Sequence, residues 1–355
     1  MCKVHGIFLW AGLGLYTLLF NRKPLTSPGV YLAALITVVV ISPIFFWNLH
    51  NDFVTWRFHS ERVEVKQFSL DTDSFLQTIF GQLFYNNPVN VIITLTALFY
   101  SNKRRLMRKN YSRLLLLTGL PIILFTTGIS LFKSVLPHWS GPGFVTLLFI
   151  AAAYLDAKTP VFNKYLIHWS LKLATGLLLV IIIGGIACIK LYPGTIGNKE
   201  TEKLGELDFT LDLTGWRQFS EAFRPWLLQQ QQQGKLPADI VFADHKWFPA
   251  AHVDYYVAKP LHTIVYGVGK VNDLHQYVWL NHERKLLAKG GDALCIVASN
   301  YPDNPAVTYA ATFASTQLLQ SFAQTRNGRL VRYFKVYVLK GYKGGDEAEG
   351  FAIGQ

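Results

Sequence analysis

The chain has 355 residues, of which 51% are hydrophobic and 16% charged. A soluble domain carries about a quarter charged residues. The net charge of +12 is unevenly spread. Residues 1–191 hold 17 Lys/Arg against 6 Asp/Glu, whereas residues 192–355 hold 17 against 16. The basic excess therefore belongs to the apolar half. That excludes nucleic-acid binding, which needs a basic soluble surface, and favours basic loops between membrane spans.

A transmembrane helix needs about 20 mostly apolar residues. Six stretches meet that pattern, near 4–20, 29–47, 75–100, 114–132, 137–155 and 173–191. The first is short. The fifth is expected to be broken early by Pro142 between Gly141 and Gly143. Alternate loops are strongly basic: Arg22 and Lys23; then Lys103, Arg104, Arg105, Arg108, Lys109 and Arg113; then Lys158, Lys164 and Lys172. The positive-inside rule puts these in the cytoplasm. The loops 48–74 and 133–136 then face outward, as does the tail. This topology puts Met1 outside, so the chain is expected to begin partway through a longer polytopic protein.

The tail reads as a small α/β domain. Strands are expected at 239–243, 263–268, 293–299 and 332–340, and helices near 216–232, 247–257 and 311–325. The predicted organisation is thus a polytopic α-helical membrane domain, 1–191, followed by a soluble extracytoplasmic α/β domain, 192–355. The three cysteines, Cys2, Cys188 and Cys295, form no disulfide framework or zinc motif.

Chemistry-bearing residues concentrate in the outward loops. The first packs Asn48, His50, Asp52, Trp56, Arg57, His59, Glu61 and Arg62 into a short stretch beside the bilayer. Two readings fit: an interfacial helix with snorkelling arginines, or a headgroup or sugar site. The second loop sets Lys133 where a span meets the outer surface, followed by His138 and Trp139 between Pro137 and Pro142. Lys133 either snorkels or meets a lipid phosphate. In the tail, Gly267-Val268-Gly269 reads as a turn, because the rest of a dinucleotide fingerprint is missing. Asp244 and His245 end a strand and are expected to be structural or solvated. Few ionisable residues lie within the spans, which disfavours a transporter.

Three stretches carry a family resemblance: SPIFFWNLHNDFVTWRFHSERV (42–63); KSVLPHWSGPGF (133–144); and LDLTGWRQF (211–219) with ADIVFADHKWFPAAHVDYYV (238–257). In order and topology they resemble bacterial polytopic glycosyltransferases similar to the dolichyl-phosphate-mannose protein mannosyltransferases (glycosyltransferase family 39) and the aminoarabinose transferase of lipid A. The resemblance implies transfer of a sugar from a polyprenyl phosphate to a glycan, lipid or protein acceptor outside the inner membrane. It further implies that Lys133, His138, Trp139, Arg62, His59, Asn48 and Asp52 line a lipid-phosphate or sugar site. In that family an aspartate of the first outward loop acts as base or positions a divalent metal. Here that loop is expected upstream of Met1, so the role is not carried onto Asp52, and this chain is expected either to be part of such an enzyme or to bind lipid-linked sugar without transferring it.

Overall fold

The computed structural model describes residues 5–64, 69–158, 164–284 and 287–344. The side chains of 61–63, 102 and 164–168 lie outside that description. The chain divides into two compact units, 1–182 and 183–355, and the boundary falls inside a helix.

The first unit is helical: α1 (Gly6–Leu19), α2 (Pro28–His50), α3 (Val54–Val63), α4 (Thr72–Tyr85), α5 (Pro88–Lys103), α6 (Lys109–Ile129), α7 (Gly141–Lys158) and α8 (Lys164–Leu191). Among the described residues, four helical segments are long and apolar enough to cross a membrane: Pro28–His50, Lys109–Ile129, Pro137–Lys158 and Trp169–Leu191. Gly6–Leu19 and Pro88–Ser101 are shorter apolar helices.

What this unit buries is as informative as its length. Helix α4 buries Ser74, Thr78 and Gln82, one turn apart, and exposes Leu76, Phe80 and Phe84. Thr94, Thr118, Thr126 and Ser130 are also buried. Their hydroxyls are satisfied within their own helices, as in Thr126 Oγ1 donating to the Ile122 carbonyl at 2.8 Å. An interior that mixes these satisfied polar groups with Ile122, Leu147 and Ile150, under a surface of large apolar side chains, suits lipid, where helices associate through close packing and hydrogen bonds. Glycines set the closest approaches. A Cβ on Gly12 would come within 2.5 Å of the Leu117 carbonyl oxygen, fixing α1 against α6.

Two expectations for this unit need correction. The single span expected over 75–100 is two helices. Asn87 adopts φ 64, its side chain accepts from Val89 N–H at 3.1 Å, and Pro88 opens α5. The Asn87 amide also donates to the Ala174 carbonyl at 2.9 Å, so the break is held by protein rather than left to lipid. Pro142, in turn, does not break the fifth span. It lies in the first turn of α7, where its missing N–H would have no helical partner anyway.

The helix ends sort by charge. Arg113 sits 4.2 Å over the Phe20 ring, Lys103 4.6 Å over Phe99, and Lys158 4.6 Å over Tyr100. The ends of α1, α5 and α7 and the start of α6 thus share one basic, aromatic rim. At the opposite helix ends, Asp71 N–H donates to the Leu131 carbonyl at 2.7 Å, joining the segment before α4 to the segment after α6.

The second unit is α/β. After α9 (Trp216–Gln232), the chain forms β1 (Val241–Asp244), α10 (Trp247–Val253) and a π-helical turn at Asp254–Ala258. It continues through β2 (Val265–Gly267), α11 (Val271–Leu274), α12 (Tyr277–Glu283), β3 (Ala293–Ala298), α13 (Pro305–Thr308), β4 (Phe313–Arg326) and β5 (Arg329–Tyr342). The sheet order is β2-β1-β3-β5-β4. β1 is parallel to β2 and β3, and β5 is antiparallel to β3 and β4. Trp216, Phe219, Phe223 and Leu227 of α9 pack with Phe242, Ile296, Phe334 and Val336 in its main core.

The helix expected near 311–325 is the strand β4. Gln, Ala and Leu in that stretch favour helix locally, but pairing along β5 prevails over such a weak preference. The turn is Asn327-Gly328, both with positive φ, the sequence that favours a two-residue hairpin loop. Arg332 of β5 is fully buried. Its guanidinium lies 4.4 Å over the Phe334 ring and donates to the Leu211 and Thr214 carbonyls and to the Asn300 side chain.

Candidate functional site

In the membrane unit the site grows from the segment that follows α6. Lys133 N–H closes the helix by donating to the Ile129 carbonyl at 3.1 Å. The chain then turns, and the Lys133 ammonium donates to the Glu64 carbonyl at 3.3 Å. This contact joins the segment after α6 to the residue that caps the end of α3, 69 positions earlier. Pro137–Ser140 forms a 3-10 turn seated on α4. There a Cβ on Gly81 would come within 2.3 Å of the Pro137 ring, so only glycine admits the proline. Ser140, fully buried, donates to the Pro137 carbonyl at 3.0 Å. The turn therefore holds His138 and Trp139 half-buried. The His138 ring lies 5.8 Å from Tyr85, and Trp139 lies 5.5 Å from His5.

The rim thus contains Lys133, His138 and Trp139, as the sequence suggests, together with His5, Tyr85 and Asp71, which it does not single out. Asp71 caps α4 by accepting from Ser74 N–H at 2.9 Å, and hydrogen bonds from Ser74 lower its pKa. Tyr85 is 66% exposed just before the Asn86-Asn87-Pro88 break, a break hidden in the sequence by the apolar run around it.

The remaining candidates divide. Asn48 is buried. Its amide donates to the Ile44 carbonyl at 2.9 Å and its oxygen accepts from Thr55 N–H at 3.2 Å, tying the end of α2 to the start of α3. Asp52 is exposed on that turn, with φ 49 beside Phe53 at φ 53. Asn48 and Asp52 thus sit at the start of α3, whereas Lys133 meets the segment just past its end. Ten residues of helix place about 15 Å between those points. His59 is half-buried on α3, its ring 5.6 Å from Phe58. The Arg62 side chain lies outside the described residues.

The second unit has a constellation of its own at the carboxyl ends of its parallel strands, the usual place for sites in such sheets. Asp244 ends β1 and is buried. Burial pushes its carboxyl up to about 7, against the backbone N–H groups of Lys246 and His245 that favour the charged form. His245 Nδ1 lies 3.9 Å from Asp244 Oδ1 and 3.8 Å from Asp303 Oδ2. Burial lowers the His245 pKa, with the Asp303 charge opposing. Asp303 Oδ1 accepts from the Thr308 hydroxyl at 2.8 Å, while Oδ2 is buried without a hydrogen-bond donor. Gly269, at φ 147, lets the turn after β2 pass beside His245. The buried Asp244 thus sits beside the partly exposed His245 and Asp303, and its Oδ1 also accepts from Lys246 N–H at 3.0 Å, which fits the structural role expected of it. Among the described residues no three His, Cys, Asp or Glu side chains are grouped to hold a metal ion.

No protein-family model, no curated protein and no solved structure matches this chain.

Proposed function

We propose that this membrane protein takes part in moving a sugar from a polyprenyl-phosphate donor to an extracytoplasmic acceptor, as a glycosyltransferase or part of one, and that the rim around Lys133 receives the lipid phosphate. One observation carries the reading: Lys133 is tied to the end of α3 at Glu64, beside a turn that presents His138 and Trp139. A departing lipid phosphate needs its developing charge stabilised, and a cation at the bilayer edge supplies this with less screening than in open water. The aromatic rings beside it offer flat apolar faces to a sugar or prenyl chain. The basic rim at the opposite helix ends favours placing the Lys133 rim and the α/β unit on the periplasmic side of the inner membrane.

A second reading, a module that binds lipid-linked sugar without transferring it, has one observation in its favour. The carboxylate of Asp71, whose backbone meets the rim at Leu131, is engaged in capping α4. The two readings separate in one experiment. The purified chain in nanodiscs is offered a radiolabelled polyprenyl-phosphate sugar with an acceptor extract, and binding and transfer are both followed. Phosphate-dependent binding supports both readings, and transfer selects the first. Equal binding of polyprenol and polyprenyl phosphate would remove both.

A further inference from the structure

We propose that the α/β unit carries a separate binding groove for an anionic saccharide, between α9 and the π-helical turn after α10. The open groove offers about 660 Å³, within the usual range for ligand clefts. One wall is the exposed face of α9, with Arg217, Glu221 and Arg224 at helical spacing. The other wall presents Tyr255, Tyr256 and Lys259.

Four features point to a ligand of this chemistry. The walls carry three cations and one carboxylate, a local excess within a half-chain that is nearly neutral overall. Arg224, exposed on α9, reaches the Pro260 carbonyl with Nη2 at 3.4 Å, which brings its guanidinium to the opposite wall. Tyr255 is 63% exposed, with the Lys259 ammonium 5.9 Å from its ring centroid. An exposed ring beside a cation suits a sugar whose C–H face stacks while its charged group is paired. Finally, Asp254–Ala258 is π-helical, a rare wound-out geometry that is frequent at functional sites. Here it delivers both tyrosines to the same wall. Each guanidinium can meet a phosphate or carboxylate through two parallel N–H donors, and Glu221, between the two arginines on α9, is placed to accept from sugar hydroxyls. An open groove, rather than an enclosed pocket, fits a chain-like saccharide that continues past both ends.

The groove uses none of the rim residues, so its test can fail while the Lys133 reading stands. The full chain is placed in phosphatidylcholine nanodiscs at low ionic strength. Binding is measured for maltopentaose 6-phosphate, for unphosphorylated maltopentaose and for inorganic phosphate. The phosphorylated sugar should bind at least about tenfold more tightly than its parent. Replacing Arg217 and Arg224 together with alanine should erase that advantage, and the paired lysine replacements should keep part of it. Tyr255→Ala should weaken both saccharides severalfold and leave inorganic phosphate unchanged. Glu221→Gln should not weaken the phosphate preference. Matching thermal melts establish that the variants fold. Equal binding of both saccharides, full retention in the double alanine variant, or displacement of the saccharide by phosphatidylglycerol added to the nanodisc would overturn the proposal.

Discussion

Gly119 and Gly143 face each other where α6 crosses α7. A Cβ on Gly143 would come within 2.5 Å of the Gly119 carbonyl oxygen, and one on Gly119 within 2.9 Å of the Gly143 carbonyl oxygen. At Gly143 the nearest obstacle is backbone, which cannot rotate away; at Gly119 the Thr146 hydroxyl, at 2.5 Å, is nearer still. Gly143→Leu should therefore force the helices apart and cost about 3 kcal/mol. Gly184, with nothing within 4 Å of its Cβ position, should accept leucine freely. Thermal melting of the two variants in one detergent checks this, and equal melting temperatures would mean that the crossing does not hold the unit together.

Arg332 anchors the second unit in a similar way. Its guanidinium serves the Leu211 and Thr214 carbonyls and the Asn300 side chain, all from one buried position. Burial lowers its pKa to about 9, with Tyr301, Asp212 and Asp208 opposing, so it is charged at neutral pH. Arg332→Met would leave those acceptors without donors, at about 1–3 kcal/mol for each buried group left unsatisfied. The expected loss is about 3–5 kcal/mol, read as a lower denaturation midpoint. The exposed neighbour Arg329 should tolerate the same change within about 0.5 kcal/mol.

Several of these features were open to sequence reasoning and others were not. The four strands expected in the tail overlap β1, β2, β3 and β5 because alternating or continuous β-branched runs mark them. β4 was hidden because its alternation is polar and its Gln and Ala residues favour helix, although Asn327-Gly328 announced the hairpin. Within the site, Lys133, His138 and Trp139 stood out as polar groups at a span edge. The joining of Glu64 to Lys133 was not legible, since it depends on how α3 and α4 fold back. The Asp244–His245–Asp303 cluster stayed hidden for the same reason: Asp303 arrives from a loop 58 positions beyond His245.

That cluster should leave a mark on pH dependence. The Asp244 pKa is raised from 3.8 to about 7 in the folded state, so the folded protein holds a proton that the unfolded chain releases. Its contribution to stability is complete below about pH 4 and is lost as pH rises toward 7. His245, whose pKa is lowered, acts in the opposite sense, losing stability as pH falls below 6.5. Asp244→Asn isolates the first effect. The wild type should lose stability relative to the asparagine variant between pH 4 and 7, by a few kcal/mol at most. Parallel pH profiles for the two would show that Asp244 ionises normally.

Sidedness is open to chemical labelling. In a variant lacking the native cysteines, Gln229→Cys in the α/β unit should react with a membrane-impermeant maleimide on intact spheroplasts. Arg105→Cys, on the basic rim, should react only after lysis. The reverse pattern would invert the proposed topology.

The proposal turns on Lys133. A charge-assisted hydrogen bond to a phosphate contributes about 1.5–3 kcal/mol, so losing it should weaken binding roughly ten- to a hundredfold. The most direct measurement is the affinity of polyprenyl phosphate for the wild type, Lys133→Ala and Lys133→Arg in nanodiscs of one lipid composition. The alanine variant should bind at least about tenfold more weakly. The arginine variant should keep part of the affinity, because the charge survives while its geometry changes. Equal affinity for all three would contradict the account and leave Lys133 as an interfacial anchor.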